Sequence, residues 1–367
     1  GFKGPGLRHF MPMPPRIILL SLTALVFLLA GCSNAPQQEV PAANVLPADS
    51  FAIQLADIGE RLTKAPNDAS LYAERSDLFI THDSMMPAMN DMVRAVSLDS
   101  GNAGYRVKLG DLFWFSRTVD QAQYQFEKAL QYEPKNTTAM LKLAEIQLVL
   151  RQYQRCLDLS NQALRIDSRL AKGYFIKGWV HKETGDTSTA ISSYHTAVEM
   201  DPQYYDAFIQ LGLLHQAKGD PLAQDFYDSA LRIRPNNSEA LYNMGMYQQE
   251  TGNDSAALAC YARIAENDPS HPMAHFNTGF IHLEHLDDPR GAITGFTGAI
   301  ERLPNYYQAY FNRGLAYERL GVLDSAGMDF QRALLLAPDF NEAAYGLERL
   351  ASKGLRIDRP GSSAPAQ

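Results

Sequence analysis

Residues 307–340 read YQAYFNRGLAYERLGVLDSAGMDFQRALLLAPDF, and the chain from about Ala69 onward keeps the same beat. Small residues recur at Gly110, Ala144, Gly178, Gly212, Gly245, Gly279 and Gly314. A second small series runs Ala88, Ala122, Cys156, Ala190, Ala223, Ala257 and Ala326, and a third Ala95, Ala129, Ala163, Ala197, Ala230, Ala299 and Ala333. Prolines close the unit at Pro134, Pro202, Pro235, Pro269, Pro304 and Pro338. The interval is 34 residues, with one of 33 and one of 35. A fixed period of this length marks a repeat array.

The spacing has a physical reading. A Gly or Ala at unit position 8 and an Ala at position 20 let two antiparallel helices approach closely. Ala at position 27 leaves room for the first helix of the next unit. Gly185, Gly219, Gly252 and Gly321 fall where the first helix must stop, a left-handed position that glycine occupies without steric cost. Proline near the end of the second helix prevents its continuation. One pair cannot bury its apolar face alone, so stacking supplies the core and the expected fold is all-α, a solenoid.

These residues resemble the tetratricopeptide repeat (TPR) pattern, which has an aromatic at position 4, Leu-Gly at 7 and 8, aromatics at 11 and 24, Ala at 20 and 27 and Pro at 32. The last unit matches with Tyr310, Gly314, Tyr317, Ala326, Phe330, Ala333 and Pro338, while Arg313 departs from Leu. Eight units cover residues 69–340, about three quarters of the chain. The resemblance implies a right-handed superhelix and leaves the partner open, because the fold hosts many functions.

A net charge of -8 argues against a general nucleic-acid role, which needs a basic field. Residues 1–10 have no periodicity and read as sequence upstream of a start at Met11 or Met13. From there the chain reads MPMPPRIILLSLTALVFLLAGC: Arg16, then an apolar run over residues 17–30. That run is short for a membrane span and fits a secretory signal over residues 1–31. Leu29-Ala30-Gly31-Cys32 resembles the lipobox of bacterial lipoproteins, which implies cleavage before Cys32 and acylation there. Acyl chains contribute about 0.8 kcal/mol per buried CH2, so lipidated Cys32 would be a stable membrane anchor. Residues 32–48, rich in Pro, Ala and Gln, read as a tether of roughly 16 residues that spans at most about 50 Å. Ser33 in place of an aspartate favours the outer membrane by the enterobacterial sorting pattern. Cys156 and Cys260 lie three repeats apart, too far for a disulfide, and read as small core residues.

Residues 49–68 carry a helical stripe of Phe51, Ile53, Leu55, Ile58 and Leu62 before Pro66 and should cap the first repeat. Residues 341–352 should cap the last one. Residues 353–367 turn to Arg, Pro, Gly and Ser and read as a disordered tail.

The resemblance implies a concave surface lined by first helices at positions 2, 5, 6, 9, 12 and 13. Position 6 of the last four repeats is Gln210, Asn243, Asn277 and Asn312. A ladder of carboxamides, each both donor and acceptor, could pair with the backbone of an extended peptide. Beside it at positions 5 and 9 stand Ile209, Leu213, Tyr242, Met246, Phe276, Phe280, Phe311 and Leu315. The alternative is that these side chains pack between repeats and line no groove. In the first half, positions 6 and 9 are Glu74, Asp77, Lys108, Asp111, Lys142 and Glu145, a solvated mixed-charge face. Lys142 and Lys172 could receive a carboxylate there. The carboxylate clamp of chaperone-binding TPRs is missing, since Val107, Asp111, Leu141 and Glu145 occupy its Lys and Asn positions.

His275, His282 and His285 crowd repeat seven, but His181, His215 and His282 all fall at position 11, where a packing aromatic is usual. They read as packing residues, with no metal site and no cofactor. No nucleophile elbow, phosphate loop or dinucleotide fingerprint is present, so the expectation is a non-enzyme. The function implied is a lipid-anchored adaptor or scaffold of the bacterial envelope that binds protein or peptide partners in its concave groove. The alternatives are an assembly factor of an envelope machine (pilus, secretion or outer-membrane insertion complex) that uses its outer faces and could form a homodimer, and an adaptor for a peptidase.

Overall fold

The computed structural model describes residues 48–354. The signal segment, Cys32, the tether and most of the tail lie outside the described residues. The contacts divide the chain after Ile53, within the first helix, α1 (Ala48–Lys64). Residues 48–53 are its opening turns, where Ile53 is exposed.

From Gln54 the described chain is helical throughout, with no strand. Eight antiparallel pairs follow: α2 (Ala69–Ile80) with α3 (Met85–Leu98), α4 (Ala103–Phe115) with α5 (Val119–Tyr132), α6 (Thr137–Val149) with α7 (Tyr153–Ile166), and α8 (Ala171–Glu183) with α9 (Thr187–Met200). The series continues with α10 (Tyr205–Ala217) and α11 (Leu222–Ile233), α12 (Ser238–Glu250) and α13 (Asp254–Asn267), α14 (Pro272–Glu284) and α15 (Pro289–Arg302), and α16 (Tyr307–Arg319) and α17 (Leu323–Leu336). The last helix is α18 (Asn341–Ser352). Each helix packs on its neighbours in sequence, and first helices of adjacent repeats also touch, as α6 does α8 and α10 does α12. This is the α-solenoid.

Local chemistry sets the helix ends. Asp68, Asn102, Asn136 and Asn237 accept backbone N–H groups at the starts of α2, α4, α6 and α12, which satisfies donors that have no partner inside the helix. The turn after the first helix is left-handed in all eight repeats. Glycine supplies it at Gly185, Gly219, Gly252 and Gly321, but Asp83, Arg117, Arg151 and Asp287 adopt it without glycine, at φ 53, 59, 57 and 49°.

The core is built on one contact. The position-24 aromatics Phe126, Tyr194, Tyr227, Tyr261, Phe296 and Phe330 are fully buried, and each lies against the position-8 glycine of its own repeat. A methyl on Gly110 would stand 2.5 Å from the Phe126 ring, and one on Gly178 would stand 2.7 Å from Tyr194. Each buried ring contributes about 1.5–3 kcal/mol, and the missing side chain is what admits it. Cys156 is fully buried and Cys260 partly buried, both as free thiols, and burial pushes the Cys156 thiol up to about 12.

At the ends, Ile58 and Leu62 of α1 bury against Leu71 of α2, and Ile53, part of the same stripe in the sequence, is exposed. Ala343, Gly346 and Leu350 of α18 pack on the last pair. No described helix is long and apolar enough to cross a membrane.

Candidate peptide-binding face

Stacking brings position 6 of one first helix beside position 9 of the preceding one. In the first half this produces ion pairs: Lys108 lies 2.5 Å from Asp77, and Lys142 lies 2.7 Å from Asp111. Lys172 reaches Glu145 at 2.9 Å, and Arg61 of α1 meets Glu74 at 2.8 Å. The carboxylate contact expected at Lys142 and Lys172 is therefore corrected: both ammonium groups already face carboxylates of the neighbouring helix. The mixed charges are bridges between repeats, not merely a solvated surface.

In the second half the four amides have different fates. Asn277 is buried, and its Nδ2 donates to the Tyr261 hydroxyl and the Met246 sulfur, both at 3.1 Å. It belongs to the core between repeats six and seven and does not face a groove. Asn312 donates to the Gln308 carbonyl at 2.8 Å, one turn back on its own helix, with its oxygen left open. Gln210 accepts from Lys182 at 2.8 Å and keeps its amide N–H groups. Asn243 is half-buried, and no hydrogen bond engages its side chain among the described residues.

The flanking aromatics are half-buried and stack between repeats. Phe276 packs on Phe296 and Tyr306 with ring centroids 5.4 and 4.8 Å away, and Phe311 on Phe330 and Phe340 at 5.6 and 5.0 Å. Tyr242 lies between Tyr261 and His271, and Phe280 against His285. Burial pushes the Tyr242 hydroxyl upward. Ile209, read from the sequence as groove-lining, is fully buried, because position 5 turns toward the next repeat.

The position-11 histidines do more than pack. The Nδ1 atoms of His181, His215 and His282 face the carboxylates of Asp186, Asp220 and Asp288 at 3.7, 2.8 and 3.0 Å. Asp186 and Asp288 cap α9 and α15, and the Asp220 carboxylate accepts from the Leu222 backbone at the start of α11. In repeat six Gln248 accepts from Asn253 at 2.9 Å in the same way. A recurring His-x4-Asp in repeats four and five was the signal in the sequence for this pairing. His285 turns away to Asp254 at 2.6 Å, and no group of three metal-ligating side chains occurs among the described residues.

Family models described as tetratricopeptide repeat match residues 107–170, 171–204, 226–259 and 307–340. The chain carries tetratricopeptide repeats. Protein FlbA of Caulobacter vibrioides is 26% identical over 186 residues, 50% of this chain and 31% of that protein. Protein O-mannosyl-transferase TMTC3 of Homo sapiens is 23% identical over 300 residues, 80% of this chain and 32% of its own length. The chain spans between 12 and 41% of the length of these curated relatives. Among solved structures, the C-terminal part of a TPR repeat-containing protein from Cytophaga hutchinsonii superposes with a TM-score of 0.56 at 17% identity, covering 66% of this chain and 99% of that one. PilW, a type IV pilus biogenesis factor, gives a TM-score of 0.50 at 16% identity, covering 55% and 94%. At these identities the TPR likeness is one of fold.

Proposed function

We propose that the TPR array is a lipid-anchored adaptor or scaffold of the bacterial cell envelope that holds protein segments along its first helices.

 The observation that carries this reading is Asn243, a half-buried carboxamide with no partner among the described residues, next to the half-buried ring of Tyr242. Gln210 and Asn312 each keep one open function beside it in the series. Such amides can donate to and accept from a peptide backbone whatever its side chains, so recognition tolerates sequence. The lipobox at Cys32 and the tether after it support attachment at the outer membrane, which raises the encounter frequency with envelope partners without any new contact.

Crosslinking in intact cells, followed by mass spectrometry of partners, tests the face. An Asn243→Ala, Asn312→Ala variant should lose partners that the wild type retains, at unchanged helical content; an identical partner set would refute the groove. The anchor is tested separately. Cys32→Ala should move the protein to the soluble fraction, and persistent membrane association would rule out the lipid.

A second reading, an assembly factor that uses its outer faces, is favoured by Met328 and Leu335, which stand 64 and 70% exposed one heptad apart on the same face of α17. Large apolar side chains exposed on one helix face are a feature of interaction surfaces. Polar substitutions at Met328 and Leu335 would then remove the partners that the amide variant leaves in place.

A further inference from the structure

One turn beyond the cross-repeat ion pairs, the first three repeats present apolar side chains to solvent. Ile80 follows Asp77 by three residues, Phe115 follows Asp111 by four and Val149 follows Glu145 by four, so each shares the helix face of the paired carboxylate. They are 38, 68 and 61% exposed. The residues equivalent to Phe115 and Val149 in α10, α12 and α16 are Ala217, Glu250 and Arg319. The carboxylates above this row are each matched by a cation, namely Arg61, Lys108, Lys142 and Lys172, so the row has no net charge to compensate.

The balance changes at α8. Lys108, Lys142, Lys172 and Arg319 bridge first helices onto carboxylates, but Lys182 bridges onto a neutral amide, the Gln210 Oε1 at 2.8 Å. Its ammonium also lies 5.3 Å from the centre of the Trp179 ring. Burial lowers the Lys182 pKa, and Glu183, the next residue on the helix, is the carboxylate that opposes this. A desolvated ammonium without a bonded carboxylate gains from one supplied by a ligand.

We infer that Ile80, Phe115, Val149 and Lys182 form a docking track for a partner segment that carries an apolar side chain for each of repeats one to three and a carboxylate over α8. This rests on the reading of the array as a peptide-binding surface. Packed helices stand about 8–10 Å apart. A polyproline II segment returns to the same face every three residues, about 9 Å along its axis, so one apolar residue in three meets successive helices and the carboxylate follows three residues after the last.

The test uses the full chain in detergent and three labelled peptides with leucine at every third position and serine or proline between. One ends in a free carboxylate, one is amidated, and one is amidated with an aspartate at the final position. Fluorescence anisotropy measures binding. Both carboxylate peptides should bind at least about tenfold tighter than the neutral amide, equivalent to about 1.4 kcal/mol. A gain confined to the free terminus would assign the track to chain ends, and a gain in both to acidic side chains as well. Lys182→Met should reduce both carboxylate peptides to the level of the neutral amide, and Phe115→Ser should weaken all three, with far-UV ellipticity unchanged. Equal binding of the three peptides, or a gain that survives Lys182→Met, overturns the track. If that surviving binding is lost in the Asn243→Ala, Asn312→Ala variant, the peptide-binding reading stands and only this placement falls. No binding of any peptide overturns the track while leaving the cellular crosslinking test of the amide face to decide the broader reading.

Discussion

Arg313 donates twice to Asp329, through Nε at 2.8 Å and Nη2 at 2.9 Å, across the two helices of the last repeat. Arg75 and Asp91 repeat the relation in the first repeat, at 2.6 and 2.7 Å. Both arginines occupy position 7, where the family has Leu, and both aspartates are buried at position 23. The terminal repeats thus share an ion-paired staple.

Arg313→Ala should cost about 3–5 kcal/mol, the usual penalty for leaving a buried carboxylate without its partner. Arg313→Leu with Asp329→Leu should recover most of the loss. Urea unfolding of both variants measures the difference; a single substitution that costs under about 1 kcal/mol would contradict the staple.

Enlarging the position-8 glycines should be costly in proportion to ring contact. A methyl at Gly245 would sit 2.6 Å from the Tyr261 ring, so Gly245→Ala should destabilise by about 1–3 kcal/mol, the range for overpacked cores. The thermal midpoint and near-ultraviolet circular dichroism report it.

At the turn after α6, Arg151 is exposed at φ 57°. A left-handed residue with a Cβ costs about 1–2 kcal/mol, partly offset by the greater unfolded-state freedom of glycine. Arg151→Gly should therefore raise stability by up to about 1 kcal/mol in denaturant titration. A loss would mean that the Arg151 side chain contributes more than its backbone costs.

The caps of repeats four, five and seven predict an acid limit. Asp186 is held below the usual carboxylate range first by its side-chain bond from Thr189, Asp220 by the Leu222 backbone N–H and Asp288 by the Gly291 backbone N–H, with the facing histidines adding to each. A carboxyl whose folded pKa is depressed stabilises fully above its unfolded value, about 3.9, and loses that contribution as pH falls through the folded value. The urea midpoint should therefore drop below about pH 4. Replacing the three aspartates by asparagine, which still caps helices, should flatten that part of the profile. An unchanged slope would assign the acid sensitivity to other groups.

The period of the chain was legible without coordinates because the constraint behind it is local and repeated. Gly110 through Gly314 and the alanine series mark where backbones approach, and the aromatic at position 24 fills the space that the glycine leaves. The left-handed turns at Arg117 and Arg151 were not legible, since no glycine marks them and only the short connection between packed helices imposes the conformation. In the sequence the histidines at position 11 have only the look of packing residues, and the Asp opposite each gains a role only when the turn folds it back.

The amide series shows the same division. By itself the sequence determined the helix pairs, their number and their order, because each depends on residues within one 34-residue unit and its neighbour. Only the tertiary structure decided that Asn277 belongs to the core while Asn243 stays open, that Lys142 and Lys172 are already paired, and that Lys182 is not matched to a carboxylate. A position in the repeat specifies a direction from the helix axis; what stands in that direction is set by the side chain of the next repeat, which the period does not specify.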